Sequence, residues 1–251
     1  MNKFILRSVA QNMNKKKKRI VWITAVVLSL ALTVGGCAIY VSDYYRADTD
    51  AIEAFVTNED AVKTVISDGV LAYGDPNSTT GFIFYPGGKV EYTAYEPLMY
   101  SLASKGIFCI LIEMPFNLAV LDMGAADGIR EQFPQIRNWY IGGHSLGGSM
   151  AASYLAEHSK DFEGLVLLGS YSTANLAEEG LAVLSLFGSE DKVMNREKYE
   201  KYKVNLPPDV MEIELGGGCH AYFGMYGNQK NDGKATISNA EQIKQTAASI
   251  V

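Results

Sequence analysis

The residues best placed to do chemistry lie in a glycine-rich turn around Ser145. The segment GGHSLGG, residues 142–148, contains the pattern Gly-x-Ser-x-Gly between a predicted strand and a predicted helix. Small residues beside the serine let the backbone turn sharply and present the hydroxyl at the edge of a sheet. The positive end of the helix and the Leu146 N–H would then face an oxyanion formed on an attacked carbonyl. Ser145 is therefore the candidate nucleophile, and Leu146 is a candidate oxyanion donor.

A serine hydroxyl is a weak nucleophile and needs a positioned base, for which the chain offers three histidines. His144 lies in the turn itself, where its direction is unsuitable, and we expect it to pack beneath the turn. His158 ends a predicted helix, where it complements the helix dipole. His220 follows the last predicted strand in a glycine-rich loop, at the end where open parallel sheets place reactive groups. His220 is therefore the candidate base, although a solvated loop histidine would show the same pattern.

The acid and the second oxyanion donor come from two further turns. The turn after the preceding strand, GSEDKV, offers Glu190 and Asp191, one of which would hold the imidazole tautomer. The loop after the first central strand, YPGGK, offers Gly88 as the first candidate donor and Lys89 as the second. A phosphate-binding loop is the alternative for such glycines, but no Gly-Lys-Ser/Thr follows.

Strands and helices alternate around these turns, which predicts an α/β fold with a mostly parallel sheet covered by helices on both faces. Apolar, β-rich runs predict strands at 81–85, 107–112, 139–142, 165–168, 182–187 and 210–215. Helical patterns lie at 92–105, 124–133, 147–158, 195–202 and 237–250. An amphipathic linker helix is expected at 42–58, and an edge hairpin at 61–73 with its turn at 67–69.

The N-terminus predicts a membrane anchor. Residues 20–41 form an uncharged run long enough to span a bilayer, directly after the basic cluster at 15–19. The positive-inside rule keeps this cluster in the cytoplasm and places the remainder outside. A cleaved secretory signal and a lipoprotein signal, in which VGGC ends at Cys37, are the alternatives, and Met13 is a second candidate start. The expected organisation is a basic N-terminus (1–19), an anchor (20–41), a linker (42–60) and a catalytic domain (61–251).

Charge and cysteine use exclude other classes. The formal net charge of -6, with many basic residues confined to the N-terminus, argues against a nucleic-acid partner. Cys37, Cys109 and Cys219 show no metal-ligand spacing, and we expect the last two to be free thiols. No metal or cofactor is expected.

With these residues assembled, the sequence resembles the α/β-hydrolase superfamily over 81–250, and within it the small, single-domain members similar to dienelactone hydrolases. The motifs GHSLGG, GSEDKV and GGGCHAYFG carry the resemblance, which is weaker at YPGGK, where Pro86 replaces a common histidine. The resemblance selects Asp191 over Glu190, because a short acid before Val193 is similar to the acid-bearing turn of this fold, and serine, acid and histidine follow in the family's order. It also implies no substantial cap, because residues 170–181 are a short segment.

The resemblance implies a serine hydrolase of the carboxylesterase type (EC 3.1.1) acting on small or lipid-derived esters. Thioesters and lactones share the mechanism, and dienelactone hydrolases themselves use cysteine, so their substrate is not carried over. A non-catalytic surface binding protein and an acyltransferase are the alternatives. Five residues could line an acyl pocket or merely pack: Tyr171, Tyr222, Phe223, Met225 and Tyr226.

Overall fold

The computed structural model describes residues 2–57 and 62–251, with side chains described from residue 17 onward. It divides into two compact units at Asp43 and Tyr44. The first unit is a single helix, α1 (Asn2–Ser42). Within it, Lys17–Ser42 is long and apolar enough to cross a membrane, and none of its most apolar stretch is buried.

The second unit is built on an eight-stranded sheet with the order β1-β2-β4-β3-β5-β6-β7-β8. The hairpin β1–β2 pairs antiparallel and joins β4 antiparallel, and β3 to β8 all run parallel. The strands are β1 (Lys63–Ser67), β2 (Val70–Tyr73), β3 (Thr80–Tyr85), β4 (Phe108–Ile112), β5 (Asn138–His144), β6 (Gly164–Leu168), β7 (Ala182–Gly188) and β8 (Met211–Leu215). The predicted strands and edge hairpin are confirmed, although position 61 lies outside the described residues.

Helices cover both faces of this sheet. They are α2 (Thr49–Val56), α3 (Glu96–Ala103), α4 (Ile129–Gln132), α5 (Leu146–His158), α6 (Arg196–Tyr202) and α7 (Asn239–Ile250). Alternate residues of β3 enter two separate cores, because side chains of a strand point to opposite faces. Phe82 and Phe84 pack with α2, α3 and α7, whereas Ile83 and Tyr85 pack with α4 and α5.

Two predicted elements differ from the structure. The helix predicted at 124–133 is wrong for most of its length, since only Ile129–Gln132 is helical. Gly128 precedes that turn with a φ of 72°, a left-handed conformation that a continuous helix does not contain.

Within the segment expected to be a linker (42–60) with a helix at 42–58, residues 44–56 belong to the sheet domain, and the helix there is only Thr49–Val56. Tyr45 pairs with Val90, and Ile52 and Phe55 are buried in the core. The expected helix end at 58 lies outside the described residues. Apolar side chains at 52 and 55 bury against the domain, which a solvated spacer would leave in water.

Candidate active site

The turn at residues 143–147, here called the serine turn, joins β5 to α5 in a constrained conformation. Ser145 has a φ of 52° and a ψ of −120°, which is uncommon for a residue with a side chain. A Cβ atom on Gly147 would lie 2.2 Å from the carbonyl oxygens of both Tyr85 and Pro86, so only glycine fits there. The Ser145 N–H donates to the Leu168 carbonyl at 2.9 Å, and Ser170 Oγ donates to the Ser145 carbonyl at 2.7 Å. Close packing therefore fixes the direction of the serine.

His220 and Asp191 meet at the same edge of the sheet, from the loops that follow β8 and β7. His220 Nδ1 lies 2.8 Å from Asp191 Oδ2, and both side chains are almost fully buried. The other carboxylate oxygen, Oδ1, accepts the N–H groups of Val193 and Met194 at 2.9 and 2.8 Å. Burial alone would raise the pKa of Asp191, but hydrogen bonds to His220 and to these N–H groups hold it below its usual range. An ionised Asp191 receives the Nδ1 proton and leaves Nε2 as the basic nitrogen.

The Nε2 atom of His220 is buried and has no hydrogen-bond partner among the described residues. The His220 ring lies beside the serine turn, with its centroid 4.4 Å from that of His144. The Nε2 atom of His144 is also buried without a partner among the described residues, so it is the Asp191 contact at Nδ1 that makes His220 Nε2 the candidate acceptor for a reacting group.

Glu190, the alternative acid, points elsewhere. It is half-buried, and its Oε1 accepts a hydrogen bond from Ser189 Oγ at 3.2 Å. The structure thus brings Asp191, and not Glu190, to His220.

The 86–89 loop follows β3 and lies against the serine turn. A Cβ atom on Gly88 would lie 2.9 Å from Leu146 Cδ2, so the two candidate oxyanion donors are neighbours. The N–H of Gly87 donates to Tyr95 Oη at 3.0 Å, and that of Lys89 donates to the Asn117 carbonyl at 2.7 Å. In the described part of the chain the Gly88 N–H makes no hydrogen bond. Of the two donors considered in this loop, Gly88 is therefore the one left available.

The other two histidines lie where they do not serve as the base. His144 is buried, and its Nδ1 lies 2.8 Å from Tyr95 Oη. Burial first, and repulsion from His220 second, lower the pKa of His144 well below its usual range, so the ring is neutral. His158 stacks on Tyr154 and lies 3.8 Å from Asp161, outside this cluster.

A sequence model of the alpha/beta hydrolase family matches residues 81–244, well over half of the chain. The chain belongs to the alpha/beta hydrolase family. The matched residues run from β3 into α7 and include Ser145, Asp191 and His220. No curated protein matches the chain. Membership supports hydrolase activity in general, and the parallel sheet without a large cap agrees with it.

Two side chains of this hydrolase hold the His220 loop, and the sequence patterns did not indicate either. Gln242 of α7 is fully buried; its Oε1 accepts the Cys219 N–H at 2.9 Å and its Nε2 donates to the Cys219 carbonyl at 2.8 Å. Asp232 accepts the Ala221 N–H at 2.8 Å and the Lys192 N–H at 3.3 Å, so it ties the histidine loop to the acid loop. Both residues lie far from any motif, and only the fold brings them to the site.

Three of the five candidate pocket residues pack in the core of the hydrolase. Phe223, Met225 and Tyr226 are buried in the cluster beneath the site, where the Phe223 ring lies 5.5 Å from the ring of His144. Tyr171 is half-buried and stacks on Tyr202 with the centroids 5.8 Å apart. Tyr222 is half-buried and borders the same core.

Among the described residues no group of three or more His, Cys, Asp or Glu side chains could hold a metal ion. Cys109 and Cys219 are buried free thiols, and Cys37 is an exposed one. Burial is the main cause that raises the pKa of Cys219 to about 12, so it remains a thiol and not a thiolate nucleophile at neutral pH.

Proposed function

We propose that this hydrolase cleaves carboxylic esters, or the related thioesters and lactones, through an acyl-enzyme formed on Ser145. Asp191 and His220 complete the catalytic triad, and the N–H groups of Leu146 and Gly88 form the oxyanion hole. The observation that carries the proposal is the buried His220–Asp191 pair, which leaves His220 Nε2 without a partner beside the serine turn.

The reaction would proceed in two halves. Ser145 Oγ attacks the acyl carbon while His220 Nε2 takes the hydroxyl proton, and the carbonyl oxygen becomes an oxyanion bound by the two N–H groups. Collapse breaks the bond to the alcohol, which leaves with the proton from His220. Water then attacks the acyl-enzyme by the same route, which releases the acid and restores Ser145.

We also propose that the hydrolase is anchored by Lys17–Ser42 as a single span, with the catalytic domain on the extracytoplasmic side. The length and composition of that helix support a span, and Lys17, Lys18 and Arg19 at its start support the orientation. Lipid-derived esters at the outer membrane face are then the accessible substrate class.

Labelling by a fluorophosphonate probe tests the chemistry, since it reports an activated serine without a known substrate. The full chain in membranes should be labelled and should turn over short acyl esters. Ser145→Ala should lose both signals, by at least about a thousandfold in turnover. Ser153→Ala is the matched control, because Ser153 lies on α5 and its hydroxyl, among the described residues, bonds the Ser149 carbonyl alone. Full labelling of Ser145→Ala, or none of the native protein, would contradict the proposal.

A further inference from the structure

The segment at 116–123 exposes apolar side chains next to the candidate active site. The exposed fractions are 64% for Phe116, 50% for Val120, 56% for Leu121 and 44% for Met123. We name these four residues the apolar lip. Exposed apolar residues are ordinary when scattered, but a cluster beside a site indicates an interaction surface.

The segment that carries the apolar lip is fixed both to the 86–89 loop and to the end of β3. The Asn117 carbonyl accepts the Lys89 N–H at 2.7 Å, and the Met123 carbonyl accepts the hydroxyl of Tyr85 at 2.8 Å. Phe116, Asn117 and Lys89 have φ values of 54°, 57° and 60°, in the left-handed region that non-glycine residues rarely adopt. The phenyl ring of Phe116 is thus held in solvent by a constrained backbone, which folding of the domain alone does not explain.

The same loop is where the anchor helix enters the domain. The Tyr45 N–H donates to the Lys89 carbonyl at 2.7 Å, and the Glu91 N–H donates to the Tyr45 carbonyl at 2.9 Å. Helix α1 ends at Ser42, so Asp43 and Tyr44 alone intervene. Such a link reaches about 10 Å at full extension, against a diameter of about 40 Å for a domain of this size. Whatever direction the span takes, Tyr45, which pairs with the 86–89 loop, stays within about 10 Å of its end.

We propose that the apolar lip inserts into the interface of the bilayer that holds the anchor, so that Ser145 receives long-chain acyl esters directly from the membrane. This inference rests on the proposed function and on the proposed span. Asp122 and Glu113 are exposed in and beside the lip, so an anionic surface would repel it and a zwitterionic interface fits it better. The apolar side chains supply the binding, which scales with the apolar area that they bury.

Insertion is tested first without any activity. The full chain carrying Leu121→Cys is labelled with an environment-sensitive fluorophore and reconstituted in phosphatidylcholine vesicles that contain nitroxide-labelled lipid. Cys109 and Cys219 are buried, and the labelled native protein supplies the background from Cys37. Val204→Cys is the matched control, because Val204 is 77% exposed but lies after α6, outside the apolar lip. We expect strong quenching at 121 and little at 204; equal quenching at the two positions would overturn the proposal.

The consequence for substrate is tested with the full chain in the same vesicles. Phe116→Ser with Leu121→Ser should lower turnover of a long-chain ester dissolved in the bilayer about tenfold, since burial of one leucine-sized side chain changes an equilibrium by that order. Turnover of a water-soluble short ester should not change, and Val204→Ser with Met211→Ser should change neither rate. Equal loss on both esters, or no loss on the bilayer ester, would refute membrane delivery.

The two proposals fail differently. If the native protein turns over neither ester and binds no fluorophosphonate, the proposed function is wrong. The quenching experiment would still decide whether the apolar lip enters the membrane.

Discussion

At the scale of single residues, His144 is a buried histidine that supports the serine turn, in contrast to His220, the proposed base. Its Nδ1 lies 2.8 Å from the Tyr95 hydroxyl, and that hydroxyl accepts the Gly87 N–H, so one buried contact joins the serine turn to the 86–89 loop. Only a neutral imidazole can accept at Nδ1. Protonation of His144 would place a charge in this buried contact, whichever ring nitrogen carries the proton of the neutral form.

This contact predicts an acid-sensitive fold. The pKa of His144 is lowered in the folded state, so below a pH of about 6.5 the unfolded chain binds one proton more than the folded chain. The free energy of unfolding therefore decreases as the pH is lowered. His144→Asn keeps an acceptor near the Nδ1 position but cannot be protonated. Denaturant titrations at pH 7.5 and pH 5 measure how much the free energy of unfolding decreases between these pH values. The decrease should be smaller in the variant than in the native protein, by up to ~2 kcal/mol, since each pH unit of differential proton binding is worth about 1.4 kcal/mol. His158→Asn is the control and should keep the native pH dependence; an unchanged dependence in His144→Asn would show that other groups cause it.

At the scale of elements, α7 positions the loop that carries His220 as well as covering the sheet. Its buried Gln242 replaces the backbone pairing that Cys219 lacks after β8 ends. A Cβ atom on Gly218 would lie 2.7 Å from Gln242 Oε1, so the glycine before Cys219 makes room for the amide. The residue that precedes His220 is thus held by a helix at the far end of the chain.

Gln242 is therefore a positioning residue. Gln242→Leu leaves two buried backbone groups unpaired, so we expect the free energy of unfolding to fall by about 1–3 kcal/mol and the rate of fluorophosphonate labelling to fall about tenfold below the unfolding temperature. Gln242→Glu keeps the acceptor for the Cys219 N–H and should retain more of the labelling rate. Gln245→Leu on the same helix is the control, because the half-buried Gln245 side chain bonds Glu241 and not the His220 loop. Native labelling kinetics in Gln242→Leu would show that the contact is structural alone.

At the scale of the whole molecule, the sheet domain carries its own two cores on either side of the sheet, and all three proposed triad residues lie inside that unit. Among the side chains that the structure describes, none from α1 belongs to either core. We propose that this helix locates the protein at a membrane, either as a span or as a lipoprotein signal that ends at Cys37.

Cys37→Ala distinguishes these two anchors. A span needs no acyl chain, so the variant should remain in the membrane fraction with the native apparent mass, and an alkyne fatty acid should label neither protein. Label that appears on the native protein and disappears in Cys37→Ala would establish the lipoprotein and contradict the span. Fluorophosphonate labelling of both proteins serves as the control for folding.

The sequence by itself determined the alternation of strands and helices and the position of the serine turn. These features are local, because apolar runs of strand length and glycines at a forced turn are visible in a few consecutive residues. Local signals also misled, since the helical pattern at 124–133 does not show that Gly128 adopts a left-handed conformation.

Tertiary structure decided which side chains meet. Glu190 and Asp191 are adjacent acids, so composition alone does not say which of them contacts the histidine. In the structure Asp191 contacts His220, whereas Glu190 bonds Ser189. The sequence did not indicate that three residues support the site: Tyr95, Gln242 and Asp232. Their partners lie in other elements, so these contacts follow from tertiary packing and not from sequence spacing. The apolar lip could not be predicted from the sequence either. Phe116 and Leu121 look like ordinary core residues there, and only the folded structure shows that they remain exposed to solvent.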